Sequence, residues 1–391
     1  MQDLSILVIH NRYQQPGGED TVVRAEVNLL RNAGHRVITY FRDNAAITRY
    51  GLLRKACLAV STTWDRQTYA DIRTLIRNQR PDIAHCHNFL PLVSPAAYDA
   101  CKSAGIQVVQ TLHNYRLLCP AGTLFSRGRR CQYCTRNLTQ GISGGCYRKS
   151  RVQTAIVSLM LHAHRLRGTW KRSVDAYVTP SRFSRGFFVS AGLPEEKVHV
   201  KPNFLIQDPG QRTKPGDYAL FVGRLSAEKG VLEMISAWSR LKPVKLLIIG
   251  DGPLYDEARD AARRAPGHIK LLGQLDAPHT LAYMKAARFL VFPSRWYEPF
   301  GMVLLEAAAC GVPAIASCIG AIPELVADRR TGLLFDPDNF DELVEQVWWA
   351  WTHPVDMERM GAAARQLYLD NFTAEKNYEA LIAIYRKLLP A

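Results

Sequence analysis

The sequence predicts an α/β protein built from two Rossmann-like, doubly wound parallel-sheet domains that face each other across a cleft. Three observations carry this expectation. Short apolar runs alternate with longer amphipathic ones along nearly the whole chain. The apolar runs are continuous, as strands are when helices cover both faces of a parallel sheet. There are too many of them for one compact sheet, and a polar stretch bearing Pro and Gly, QDPGQRTKPGD (207–217), divides them. A length of 391 residues suits two domains.

In chain order, LSILVIH (4–10) reads as a first strand, and TVVRAEVNLLRNAGH (21–35) has helical spacing with a Gly stop. HRVITYF is again a strand. PDIAHCHN, QVVQTLHN and DAYVTPS are β-rich runs that end in polar residues. The second half repeats the pattern in YALFVGRL, KLLIIGDGP, IKLLGQL, ARFLVFPS and VPAIASC. Helices such as KGVLEMISAWSRL and FGMVLLEAAACG lie between these strands. The expected boundaries are a first domain over 1–206, a linker over 207–217, a second domain over 218–371 and a closing helix over 372–391. In open α/β sheets ligands bind at the carboxyl ends of the strands, so the polar residues there are the candidates for chemistry.

Composition excludes several classes. A hydrophobic fraction of 47% and a charged fraction of 22% are those of a globular protein, not a disordered chain or a coiled coil. No run of 18 apolar residues suits a membrane-spanning helix. The start, MQDLSILVIHNRY, lacks a cationic leader and a small-residue cleavage site, so the expected location is the cytoplasm.

The charge is uneven. Lys and Arg number 50 and Asp and Glu 35, a net of +15. Thirteen of the cations, and no acidic residue, fall between Ala100 and Val174, which leaves 50 − 13 = 37 basic against 35 acidic elsewhere. Such a block marks either an anionic partner or a solvated basic face. Only the high overall charge points to nucleic acid, and no recognition helix or aromatic stacking motif accompanies it.

Three loops could carry chemistry. In HNRYQQPGGED, Gly17 and Gly18 precede a helix, where backbone amides can approach a phosphate; a tight turn without a ligand fits equally well. In FVGRLSAEKG, Arg224 and Lys229 flank a strand-to-helix turn, a pairing suited to a diphosphate or to a plain solvated surface. In PSRWYEPFGMVLLEAAACGVP, Glu298 and Glu306 stand eight residues apart, about 80° past full turns if both were helical. They reach one ligand only if Glu298 lies in a loop and the helix opens near Gly301. A carboxylate inside so apolar a helix calls for a polar partner, such as a ribose diol.

Together FVGRLSAEKG, IIGDGP, VFPSRWYEPFGMVLLEAAACGVP and the GGED, LHN, TPS and KPN turns resemble the group 1 (family 4) glycosyltransferases of the GT-B fold, over nearly the whole chain. The resemblance implies a retaining transfer from a nucleotide-sugar donor that needs no metal or other cofactor. It makes Arg224 and Lys229 the clamps on the donor diphosphate and Glu306 the ribose ligand. Glu298 would hold donor-sugar hydroxyls beside Phe300 and the Gly301, Met302 and Val303 amides, with Gly17 and Gly18 as phosphate contacts. His113 corresponds to the family histidine that faces the donor sugar, although a satisfied structural histidine reads the same. It implies that AEKNYEALIAIYRKLLP (374–390) crosses back onto the first domain. The acceptor is expected to be lipid-linked or another saccharide, with a soluble-acceptor synthase or phosphorylase as the alternative.

The basic insertion 114–172 departs from the simplest relatives. Cys119, Cys131, Cys134 and Cys146 are spaced C-x11-C-x2-C-x11-C, which fits a structural zinc site, a set of reduced thiols or a transient redox pair. The insertion runs on into SRVQTAIVSLMLHAHRLRGTWKR (150–172), apolar with cationic ends. That composition suits an interfacial helix on an anionic membrane, hence a peripheral position at the inner face of the plasma membrane, or a buried helix between domains.

Overall fold

The computed structural model describes residues 3–14, 17–241, 244–265 and 267–389. Gln15 and Pro16 of the glycine loop, and Pro390 and Ala391 of the closing helix, lie outside the described residues. The chain forms two compact units. Unit 1 comprises 1–124, 131–206 and 374–391; unit 2 comprises 125–130 and 207–373.

Unit 1 holds β1 (Ser5–Arg12), β2 (Arg36–Asp43), β3 (Ile83–Cys86), β4 (Gln107–Thr111), β7 (Ala176–Thr179) and β8 (Val198–Val200). They pair in parallel in the order β2-β1-β3-β4-β7-β8. β3, β4 and β7 are buried along nearly their whole length, as strands covered on both faces must be. The helix Gly18–Asn32 buries Val23, Val27 and Leu30 against β1, β3, β4 and β7. The helix Ala374–Leu388 adds Leu381, Ile382, Ile384 and Tyr385 to the same core.

Unit 2 holds β9 (Tyr218–Val222), β10 (Lys245–Ile249), β11 (Ile269–Gly273), β12 (Phe289–Phe292), β13 (Ala314–Ser317) and β14 (Gly332–Phe335). These are also all parallel, in the order β11-β10-β9-β12-β13-β14. Its core centres on Trp238, Phe289, Leu333 and Phe335. The polar stretch 207–217 is bound to this unit. Arg365 forks the Asp208 carboxylate at 2.6 and 2.5 Å, and Arg212 donates to the Ala287 carbonyl at 2.5 Å.

The basic insertion divides between the units. Its hairpin, β5 (Phe125–Ser126) with β6 (Arg129–Arg130), goes with unit 2, where Arg130 pairs with Asp338. The rest goes with unit 1.

In each sheet the chain first runs outward in one direction and then returns to the other side of its starting strand. The reversals fall between β1 and β3 and between β9 and β12. A crevice opens at the carboxyl ends of strands at such a point.

Leu381→Ala, at a site with no solvent exposure, removes a core side chain shared by a helix and four strands. The expected loss is about 2–5 kcal/mol in denaturant unfolding; an unchanged midpoint would place this helix outside the unit 1 core.

Candidate functional site

In unit 2 the reversal brings the turn after β9 against the loop after β12. Arg224 is exposed, with no ion-pair or hydrogen-bond partner among the described residues. Lys229 points the other way, its Nζ 2.8 and 3.2 Å from the two carboxylate oxygens of Glu298. Glu298, only 7% exposed, also accepts from Ser294 Oγ at 2.9 Å and Trp296 Nε1 at 2.6 Å. A buried carboxylate is costly unless its oxygens are hydrogen-bonded in this way. Lys229 further lies 5.3 Å from the rings of both Phe292 and Trp296. Two glycines allow the loops to meet. Gly230 has φ +68° and packs against the Pro293 carbonyl. Gly320 has φ +61°, and a Cβ there would lie 2.5 Å from the Glu298 nitrogen.

Glu298 lies outside the helix, which runs Met302–Ala309 with Gly301 as its cap at φ +112°. The Met302 and Val303 amides are in its first turn, where an α-helix leaves its donors unpaired. Glu306 stands on this helix without a cation, and burial pushes its carboxyl up to about 7. Phe300 is turned inward, 5% exposed and edge-to-face with Phe372 at 5.9 Å. Its side chain therefore anchors the loop.

In unit 1 Gly17 caps the helix Gly18–Asn32 and donates its amide to Asp20 at 3.2 Å, while Asp20 meets His10 Nε2 at 2.8 Å. At Gly17, φ is −134° and a Cβ would touch nothing within 4 Å. Neither the backbone nor the packing requires glycine there.

His113 lies two residues past β4, with Nε2 2.9 Å from Nδ1 of His87 and the rings stacked at 5.2 Å. His87 Nε2 is 3.3 Å from Glu26, and His85 Nδ1 is 3.1 Å from the same oxygen. The other Glu26 oxygen meets Lys201 Nζ at 2.9 Å. Burial would raise the Glu26 carboxyl, but Lys201 and His85 outweigh it and hold it well below the usual range. Burial lowers His87 to about 3 and, with His87 beside it, puts His113 well below an ordinary imidazole. Both histidines are neutral at physiological pH. With an anionic Glu26 against Nε2 of His87, the consistent tautomer leaves Nδ1 as acceptor for the His113 Nε2–H.

Sequence reading missed Ser294, Trp296, Gly320, Glu26, His85, His87 and Lys201. The alternation in HCHN and the KPN turn signalled three of them. Glu26 carried no local signal.

The ligand atoms of Glu26, His85 and His87 lie within 4.8 Å of one another, close enough for a metal. However, Lys201 already supplies the cation, and His85 contacts Tyr385 at 2.6 Å and Thr111 at 2.7 Å. Glu26 is met by ion-pair contacts to Lys201, His85 and His87, while its two oxygens and His87 Nε2 make no hydrogen bond among the described residues. Among the described residues no three of Cys119, Cys131, Cys134 and Cys146 bring their sulfurs within 4.8 Å of one another. Burial, with the other three thiols nearby, pushes Cys134 up to about 12. A thiol so raised packs as a protonated side chain, here against Gly141.

Comparison with known proteins agrees with this geometry. Residues 16–206 match the family described as Glycosyltransferase Family 4, and residues 205–367 match Glycosyl transferases group 1. The glycogen synthase of Mycobacterium tuberculosis is 30% identical over 315 residues, covering 79% of this chain and 69% of that protein. The O-antigen chain mannosyltransferase C of Escherichia coli is 29% identical over 182 residues, 46% of this chain and 49% of that one. Sucrose-phosphate synthase from Thermosynechococcus elongatus superposes with a TM-score of 0.74 at 18% identity, covering 98% of this chain and 99% of that one. Anabaena HepE gives 0.70 at 18% identity with the same coverage. The structural likenesses establish the fold as GT-B. The chain belongs to the group 1 glycosyltransferases and is a glycosyltransferase.

Lys201→Met leaves Glu26 charged and buried without its ammonium, an expected loss of about 3–5 kcal/mol. Adding Glu26→Gln should recover part of it in denaturant titrations. Because His87 and His113 are lowered, the unfolded chain binds more protons below about pH 6.5. Stability of the parent should therefore fall as pH drops from there toward 3. A flat profile, or a double variant no better than the single, would overturn the network.

Proposed function

We propose that the protein is a retaining hexosyltransferase that moves a sugar from a nucleotide-sugar donor to a lipid-linked saccharide at a membrane surface. The observation that carries the donor half is the convergence, at the unit 2 reversal, of unpartnered Arg224, the Lys229–Glu298 pair, the first-turn amides of a helix and Glu306. Arg224 forks the diphosphate, and Lys229 swings between the carboxylate and a phosphate oxygen. Glu298 and the Gly301–Val303 amides take donor-sugar hydroxyls, and Glu306 takes the ribose diol. Gly18 of unit 1 offers a backbone donor to phosphate, whereas the Gly17 amide is taken by Asp20. HepE, a neighbour in fold, has been solved with UDP-glucose, which supports the donor class.

In the reaction the bond from the anomeric carbon to the diphosphate breaks as the acceptor oxygen bonds to that carbon on the same face. The acceptor proton passes to the leaving phosphate oxygen. The developing charge is the main barrier, and Arg224 and Lys229 stabilise it without a resident metal. Neutral His113, fixed by His87, contacts the sugar without adding a cation.

The membrane half rests on exposed apolar residues among cations. On the helix Arg151–Leu166, Val152, Leu159 and Leu166 recur every seven residues and are 71, 62 and 75% exposed. On the helix Leu52–Ser61, Leu53 and Val60 are 86 and 74% exposed beside Arg54 and Lys55. The two helices are joined where His164 meets the Thr63 carbonyl at 2.8 Å. No helix among the described residues is long and apolar enough to cross a membrane, so attachment at the surface fits. Several cations of the insertion are engaged elsewhere. Arg165 donates to the Leu118 and Cys134 carbonyls at 3.1 and 3.3 Å, and Arg172 binds the Arg167 carbonyl. Much of the apolar strip expected to meet lipid, including Val157, Met160 and Leu161, is buried in unit 1.

Arg224→Ala and Glu306→Gln should each weaken nucleoside diphosphate binding, measured in EDTA, by about 1.5–3 kcal/mol. Affinity of the parent should rise with pH through about 7 as Glu306 ionises, and Glu306→Gln should flatten that rise. Unchanged affinity in both variants, or binding that requires added Mg²⁺, would overturn the donor site.

A variant with Leu53→Ser, Leu159→Ser, Lys55→Glu and Lys149→Glu should lose binding to anionic vesicles while keeping its nucleotide affinity. Undiminished vesicle binding, or no preference of the parent for anionic over neutral lipid at low salt, would favour a soluble acceptor.

A further inference from the structure

A second cavity, of about 580 Å³, lies in unit 1 between the helix Gly18–Asn32 and the edge strand β2. It begins at the carboxyl ends of β1 and β2, at His10, Arg12 and Asp43, and runs down the helix past Arg24 to Arg31. None of Arg224, Lys229, Glu298 and Glu306 lines it.

Its charges are not balanced internally. The two carboxylates that line it are already used: Asp20 accepts from His10 and the Gly17 amide, and Asp43 accepts from the Ala45 amide at 2.7 Å. The guanidinium groups of Arg12, Arg24 and Arg31 have no carboxylate or carbonyl partner among the described residues. Arg42, next along the edge strand, is by contrast paired with Asp71 at 2.7 Å. Arg12 is held over the Phe41 ring, 5.0 Å from its centroid, which orders the guanidinium without neutralising it. Arg24 and Arg31 are seven residues apart, two helical turns or about 10.5 Å along one face. Cations so separated, with an aromatic floor at one end, fit an extended ligand bearing repeated negative charge better than a single small anion.

We infer that this groove binds an anionic saccharide chain, carboxylated or phosphorylated, and that the chain is the acceptor. The inference rests on the glycosyltransferase reading above. Arg31 and Arg24 hold the distal part of the chain, and Arg12 sets the end nearest the β1 loop. An acceptor bound this way contributes charge recognition at a distance from the reacting sugar.

The test compares a hexameric oligogalacturonate, a malto-oligosaccharide of the same length and inorganic pyrophosphate as ligands of the full chain. Binding is measured by calorimetry at low and physiological salt. The oligogalacturonate should bind, weaken with salt and outcompete pyrophosphate, whereas the neutral chain should not bind. Arg24→Glu with Arg31→Glu, both exposed on a helix, should weaken the oligogalacturonate by at least about tenfold. Melting temperature and nucleoside diphosphate affinity should stay unchanged. Equal affinity of the variant, equal binding of the neutral chain, or pyrophosphate binding with no gain from the oligosaccharide would overturn the inference. Failure of the nucleoside diphosphate to bind the parent would instead count against the donor site and leave the groove result standing.

Discussion

The buried pair of Glu26 and Lys201 is the constraint around which unit 1 is arranged. Lys201 is 2% exposed and Glu26 1%. Taking two charges this far from water costs several kcal/mol each unless every remaining donor and acceptor is matched. The contacts that surround the pair come from distant parts of the chain. Glu26 is on the first helix, His85 and His87 lie at the end of β3, and Lys201 follows β8. Asn377 and Tyr385, on the last helix, meet Lys201 at 3.1 Å and His85 at 2.6 Å. The pair therefore does more than add stability: it specifies which strand end and which helix must be adjacent.

One result is a histidine whose protonation state is settled in advance. His113 reaches the Glu26 carboxylate only through His87, so it is oriented by an anion without being made cationic by it. Unit 2 resolves its own buried carboxylate differently. Glu298 is matched by Lys229, Ser294 and Trp296, all from the turn after β9 and the loop after β12.

The two carboxylates of the Glu298–Glu306 motif are held in opposite conditions. Glu298 is saturated with donors, whereas Glu306 has only burial acting on it and sits near neutrality at about 7. A group in that condition gains from any ligand that supplies hydroxyl donors, because the ligand repays the desolvation that the fold left unpaid. The helix between them is short and apolar, and its length and cap at Gly301 set both positions.

Parallel pairing in two doubly wound sheets and the spacing of Arg224, Lys229, Glu298 and Glu306 were legible in the sequence by itself. Continuous apolar runs betray strands covered on both faces, and loop residues keep their place relative to the strand they follow. What only the tertiary structure decided involves pairs far apart in the chain. Glu26 read as one more polar residue on an amphipathic helix, because nothing near position 26 says that position 201 will lie against it. The cysteine spacing allowed a tetrahedral site, yet sulfur separations depend on how a hairpin and two short helices pack, and here they stay too wide. The basic insertion was visible as composition, but which cations are free depends on which carbonyls each one meets: Arg165 is consumed by the Leu118 and Cys134 carbonyls, while Lys149 and Arg151 remain outside. Sequence determines periodicity and local spacing because those are properties of neighbours along the chain. Partnership of buried charges is a property of neighbours in space, and only the folded chain settles it.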